Sequence, residues 1–184
     1  MVRDGKKTGG FSAKGGLVVI GEDGLISSVR ELSSGDMSKF LNLCLGNPQY
    51  YRPLGYAPTI DSLSDELAEL PPGCSPKQKQ CLGYYSDSGE LIAVLDVVRG
   101  YPDVASVFIG FFMVDATYQG IGLGRGIISR LCHSLRLEGY HRVRLGYVDG
   151  NAQSQGFWTR CGFTTSGETV NCGTYQVVPM EKRL

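Results

Sequence analysis

Two runs of this chain are almost continuously apolar, Leu91–Val98 (LIAVLDVV) and Val107–Val114 (VFIGFFMV). Runs of that kind are strands covered on both faces. Shorter stretches predict further strands at Leu25–Leu32, Cys81–Tyr85 and Arg142–Val148, with a closing pair at Thr164–Val170 and Thr174–Met180. Helical spacing appears elsewhere. Met37, Phe40, Leu41 and Cys44 share one face, with Ser34 or Asp36 as the cap. Asp61–Leu70 is amphipathic and is stopped by Pro71 and Pro72. Ile127, Ile128, Leu131 and Leu135 form a stripe along a helix from Gly124 to Glu138. A last short helix starts at Asn151 and ends at Gly162. Residues 46–60 read as a Tyr-, Pro- and Gly-rich loop, and "GYPD" at 100–103 as a turn. Strand, helices, a run of strands, helix, strand, helix and strands in that order predict an α+β fold with one sheet covered by helices.

The 184 residues suit one domain, since domains cluster at roughly 100–150 residues. That domain is expected over 23–184. Residues 1–22 read as a mobile or loosely docked tail, in which Leu17–Ile20 can add an edge strand or simply dock. Lys plus Arg balances Asp plus Glu at 18 each, which removes the pull expected of a non-specific nucleic-acid binder. The six cysteines never fall at C-x-x-C spacing, and His133 and His141 are the only histidines. No metal site is expected. Scattered cysteines without a secretory leader fit a reducing cytoplasm, and no stretch approaches the roughly 20 apolar residues of a membrane span.

The chemistry gathers in "VDATYQGIGLGRGIISRL", Val114–Leu131. A strand ends there just before a helix begins. Unpaired backbone N–H groups and the positive end of the helix dipole then meet in one place, which makes an anion site. Glycines let the backbone lie against a phosphate and take positive φ. Gln119, Gly120, Gly122 and Gly124 therefore point to a phosphate cradle, with Arg125 able to add a charge-assisted contact. A P-loop would need glycine at 125, followed by Lys and Ser or Thr, and Arg stands there. A dinucleotide fingerprint fails from either start, meeting Arg125 or Ile127 in place of its third glycine. A nucleotide-dependent oxidoreductase is accordingly disfavoured.

The spacing that fits is Q-x-x-G-x-G, with Gln119, Gly122 and Gly124 following "FFMV". This resembles the acetyl-CoA loop of the GNAT superfamily of N-acetyltransferases. "VRLGYVDGNAQSQGFWTRCGF" looks like that family's closing segment, with Asn151, Phe157, Trp158, Gly162 and Phe163 in place. "VRELSSGD" looks like its first strand and helix. The resemblance spans Ile26–Met180. It implies a GNAT-type mixed, mostly antiparallel central sheet with helices on both faces, and acetyl-CoA as co-substrate. It implies that the backbone of Phe112, Met113 and Val114 pairs with the pantetheine arm. It also implies that the loop from Gln119 through Gly120, Ile121, Gly122, Leu123 and Gly124 to Arg125 grips the pyrophosphate. Asn151 matches a residue that contacts the cofactor arm, and also reads as a plain helix N-cap.

Two departures bear on catalysis. Many members carry a Tyr as general acid four residues before the Gly of the Gly-Phe pair. Here that place is Trp158, whose indole N–H donates but is no usable acid near neutral pH. Many members also carry an acid near the positions of Gly110 and Phe111, and neither residue is one. Asp96 is the alternative base, directly or through water, because a carboxylate inside "LIAVLDVV" is costly unless paired or facing a cavity. Tyr50, Tyr51, Asp96 and Tyr101 are the candidates for the acceptor side. The expectation is an N-acetyltransferase acting on a primary amine of a small molecule or peptide, with Asp96 and Trp158 at the reacting centre. The rival is an acetyl-CoA-binding module that has lost its chemistry and serves as a sensor or interaction domain. Homodimers are common in the family, and "TYQVVPM" suits an edge as well as an interface.

Overall fold

The computed structural model describes residues 24–184, so the expected tail lies outside the described residues. Eight strands form one sheet in the order β1-β2-β3-β4-β5-β8-β6, with β7 also paired to β8. They are β1 (Ser28–Glu31), β2 (Lys79–Tyr85), β3 (Leu91–Arg99), β4 (Ser106–Val114), β5 (Arg142–Val148), β6 (Thr164–Thr165), β7 (Val170–Asn171) and β8 (Gln176–Arg183). The helices are α1 (Met37–Leu45), α2 (Pro48–Tyr51), α3 (Ile60–Ala68), α4 (Leu123–Leu137) and α5 (Ala152–Arg160). All the paired strands run antiparallel except β4 and β5. Among the described residues, no helix is long and apolar enough to cross a membrane, and no group of three or more His, Cys, Asp or Glu side chains is placed to hold a metal ion.

Helices cover both faces. On one side α4 sets Ile127, Ile128, Leu131 and Leu135 against Leu95, Val97, Val143 and Leu145 of the sheet. On the other, Phe40 and Leu43 of α1 and Leu63 of α3 pack on Val94, Phe111 and Met113. Strand β4 contains the feature that shapes the site. Val107 and Ile109 belong to the first core, whereas Phe111 and Met113, of the same parity, belong to the second. The inversion arises at Gly110. Asp96 pairs with Phe111 and Val97 with Ile109, so Gly110 is a bulge with no partner on β3.

Several boundaries differ from the sequence reading. The first strand keeps only Ser28–Glu31 of the expected Leu25–Leu32. Residues 46–60 are not all loop: Pro48, at the first helical position where its missing N–H costs nothing, starts α2, and a 3-10 turn follows at Arg52–Leu54. Thr164–Val170 is not a continuous strand. Gly167, at φ +104°, breaks it, and only the two ends pair with β8.

The start of α1 is fastened by one carboxylate. Asp36 accepts two bonds from the Arg30 guanidinium, both 2.7 Å, and two from Ser33, through its N–H at 2.9 Å and its hydroxyl at 2.7 Å. Arg30 also lies 4.2 Å over the Tyr85 ring. The Arg30 bonds hold the Asp36 carboxyl far below the ordinary carboxylate range. Its stabilisation is therefore present above the unfolded value of about 3.9 and is lost as pH falls through the folded value. Arg30 is half-exposed, so the charge pairing is screened and the buried hydrogen bonds carry most of the effect. Asp36→Ala is expected to cost about 2 kcal/mol, or roughly 4–8 °C in Tm for a chain of this size. A thermal melt unchanged to within a degree or so would contradict that.

Candidate active site

The β4–β5 pairing supplies the cleft. It covers only Ser106–Ile109 against Arg142–Leu145. Beyond Ile109 the two strands part, and Gly110–Val114 faces Gly146–Val148 across a cavity of about 600 Å³. The bulge at Gly110 sits where the parting begins. Along the open edge of β4, Phe112, Met113 and Val114 line the cavity, as do Tyr147 and Val148 on the β5 side.

One end of the cavity is the glycine loop. Gly120 and Gly122 have φ of +78° and +93°, and Gly122 is the N-cap of α4 with no side-chain cap bond. The first N–H groups of α4 lack intrahelical partners by construction, and Gly122, Gly124 and Arg125 at that helix start line the cleft. Gly124 lies where an added Cβ would meet Phe157 and Val114, each at 3.2 Å. The Gln119 side chain is spent on building the loop. It donates to Asn47 Oδ1 at 2.7 Å and to the Val114 carbonyl at 2.9 Å, and accepts from Gln153 at 2.9 Å. Arg125 and Arg160 line the cavity and also a second hollow of about 420 Å³ that Lys182 borders. Cations therefore gather at this end.

The α5 side is aromatic. Trp158 is 7 % exposed and packs on Phe112, Phe157 and Phe163 at ring centroid distances of 5.8, 4.9 and 5.2 Å. It lines the cavity as an apolar wall. Asn151 also lines it, while its side chain caps α5 by accepting from the Ser154 N–H at 2.9 Å.

At the bulge, Asp96 is 4 % exposed. A Cβ added to Gly110 would come within 2.5 Å of Asp96 Oδ2. The carboxylate thus occupies the space a side chain on Gly110 would enter, and Gly110 itself lines the cavity. Lys79 Nζ lies 3.2 Å from Oδ2, while Oδ1 is buried without a hydrogen-bond partner. Burial raises the Asp96 carboxyl to about 6, with Lys79 opposing the rise. Glu66 on α3 is raised to about 7 by burial and then by the Asp96 charge.

The candidates divide accordingly. Phe112, Met113, Val114, Gln119, Gly120, Ile121, Gly122, Gly124, Arg125, Asn151 and Trp158 line one cavity, and Tyr50 joins them on the α2 side. Asp96 lies directly behind the cavity wall at Gly110. Three candidates sit elsewhere. The Leu123 side chain is 1 % exposed in the core, leaving only its backbone for the loop. Tyr51 is buried, with its ring packed edge-on against Tyr50. Tyr101 packs edge-on against Phe108 at 5.7 Å and does not line the cavity. Asn47 and Tyr147 also line it, and sequence reasoning missed both. Tyr147 alternates with Val143 and Leu145 and so reads as core. Asn47 gives no local signal, because its partners lie far along the chain.

The model of the Acetyltransferase (GNAT) family matches residues 48–163. No curated protein matches the chain. Among solved structures, an acetyltransferase from Thermus thermophilus superposes with a TM-score of 0.67 at 19% identity, covering 87% of this chain and 99% of that one. Spermidine N-acetyltransferase from Vibrio cholerae, solved with CoA and spermine, gives 0.62 at 18% identity over 85% and 94%. The ribosomal-protein-S18-alanine N-acetyltransferase of Escherichia coli gives 0.60 at 14% identity over 85% and 92%.

Proposed function

The chain belongs to the acetyltransferase (GNAT) family, and from that premise we propose that it moves an acetyl group from acetyl-CoA to a primary amine by direct attack within a ternary complex. One observation carries this reading: two parallel strands part at a bulge and open on an uncapped helix N-terminus lined with positive-φ glycines. The residues present fit acetyl-CoA. The free edge of Phe112–Val114 can pair with an amide-bearing arm. The N–H groups of the Gly120–Arg125 loop can hold a pyrophosphate, and Arg125 and Arg160 sit at the same end.

Acetyl-CoA supplies an activated thioester, whose carbonyl carbon bonds to the amine nitrogen as the bond to sulfur breaks. The chain positions the two reactants, and backbone N–H groups polarise the carbonyl. The amine must lose a proton. Asp96 takes it, directly or through a water at Gly110, where no side chain blocks the way. The departing thiolate needs little help, since thiol pKa values lie near 8–9, and this tolerates Trp158 where an acid stands in many members. The acceptor enters from the Tyr50 side and is a small-molecule or peptide amine, as the polyamine and protein substrates named for the structural neighbours suggest.

Calorimetric titration with acetyl-CoA and CoA, and with NAD as control, tests the loop. Micromolar binding of the first two and none of NAD is expected; no binding of acetyl-CoA would contradict the reading. The packing of Trp158 into an aromatic wall favours a second reading, an acetyl-CoA-binding module without turnover. Binding that never leads to amine-dependent thiol release across a panel of spermidine, phenethylamine and an alanine-initiated peptide would select it.

A further inference from the structure

Lys79 is 10 % exposed by side chain, a costly place for an ammonium unless its donors are all used. They are. One N–H faces Asp96 Oδ2 at 3.2 Å. The others reach the Glu66 and Glu69 carbonyls at 3.1 and 2.6 Å. Those carbonyls belong to the end of α3, where the last turn leaves acceptors unpaired. One cation therefore joins three elements: β2, which carries it, β3, which carries Asp96, and the C-terminal end of α3.

From this geometry we propose that Lys79 is the positioning residue of the site: it pins the Asp96 carboxylate against Gly110 and keeps it charged. This rests on Asp96 acting as the base. Among the described residues, Lys79 is the cation paired with Asp96, and the groups around it offer no replacement. From α3 come Glu66 and Glu69, both acidic, and Asp96 raises Glu66. From β2 comes Cys81, from α1 Cys44 and from α2 Tyr50 and Tyr51, all neutral near pH 7 at their ordinary values, which burial raises further. The bulge in β4 offers Gly110 and Phe111, with no charge. Without Lys79 a buried carboxylate would face acidic and neutral groups only.

The test follows the Asp96 carboxyl by carbon-13 NMR in the full chain labelled on aspartate. The signal is identified by its loss in Asp96→Asn. In Lys79→Met, and in Lys79→Gln, which keeps donors but no charge, the Asp96 midpoint is expected to move up by about one pH unit or more. The acid limb of amine-dependent thiol release is expected to move with it while acetyl-CoA affinity holds. Lys79→Arg, which keeps the charge, is expected to recover much of the limb. An Asp96 midpoint unchanged in either folded neutral variant overturns the role of Lys79. Should neither neutral variant fold, the Lys79 ammonium signal of the unaltered protein decides: it is expected to shift at the Asp96 midpoint, and no shift there overturns the role. Asp96→Asn separates the two ideas. If it turns over normally, Asp96 is not the base; if it is slow but the Lys79 variants leave the limb in place, only the role of Lys79 falls.

Discussion

Gly110→Ala is expected to lower amine-dependent turnover about a hundredfold while leaving acetyl-CoA affinity within about twofold. The added methyl would lie 2.5 Å from Asp96 Oδ2, closer than any carbon–oxygen contact tolerates. The residues on either side of the bulge, Ile109 and Phe111, are paired to β3, and the Asp96 carboxylate is held by Lys79, so neither side yields cheaply. The carboxylate must turn away or the bulge must shift. Either movement takes the proposed base out of line, and positioned general bases contribute roughly 10²–10⁴ in rate. In the proposed reading acetyl-CoA is held by the glycine loop and the β4 edge beyond the bulge, which a methyl at 110 does not touch. Steady-state kinetics beside calorimetry check both halves. A variant with unchanged kcat would mean that Asp96 plays no part in the reaction.

Gly122→Val strikes the other half of the site. Gly122 is the N-cap of α4 at φ +93°, a conformation that a β-branched residue rarely adopts. A valine there forces the loop to rearrange and turns the N–H groups at the head of α4 away from the cleft. Nothing near the glycine is crowded, so the penalty is conformational rather than steric. At least a tenfold rise in the acetyl-CoA Kd is expected, equivalent to about 1.4 kcal/mol, with the helix itself intact because its buried stripe is untouched. Calorimetry on the folded variant tests this, and an unchanged Kd would mean that the loop amides do not hold the ligand.

The glycine-loop end of the cavity was legible because its signal is local. A strand, three glycines and a helix lie consecutively, and backbone geometry follows from residue type at each step. The arrangement around Asp96 was legible only in part. Asp96 stood out as a charge inside an apolar strand, but its relation to Gly110 runs across a ladder. "VFIGFFMV" hides the bulge, since a strand covered on both faces shows no alternation whose parity could be seen to slip. Lys79 and Glu66 gave no signal, because an ion pair and a helix end fastened by one ammonium depend on tertiary placement. Helix α2 was masked by composition, as Pro and Gly mark loops more often than first turns. The closing strand was expected as one piece because nothing in Thr164–Val170 but Gly167 reports the break.

The most direct test is the pH dependence of amine-dependent CoA release at saturating acetyl-CoA, measured side by side for the unaltered protein and Asp96→Asn. Burial sets the Asp96 carboxyl at about 6, and a base works only when deprotonated. Activity should therefore rise through about pH 6 in the unaltered protein, and Asp96→Asn should be slow at every pH and lack that limb. Equal rates and the same limb in both proteins would contradict the assignment of Asp96 as the base.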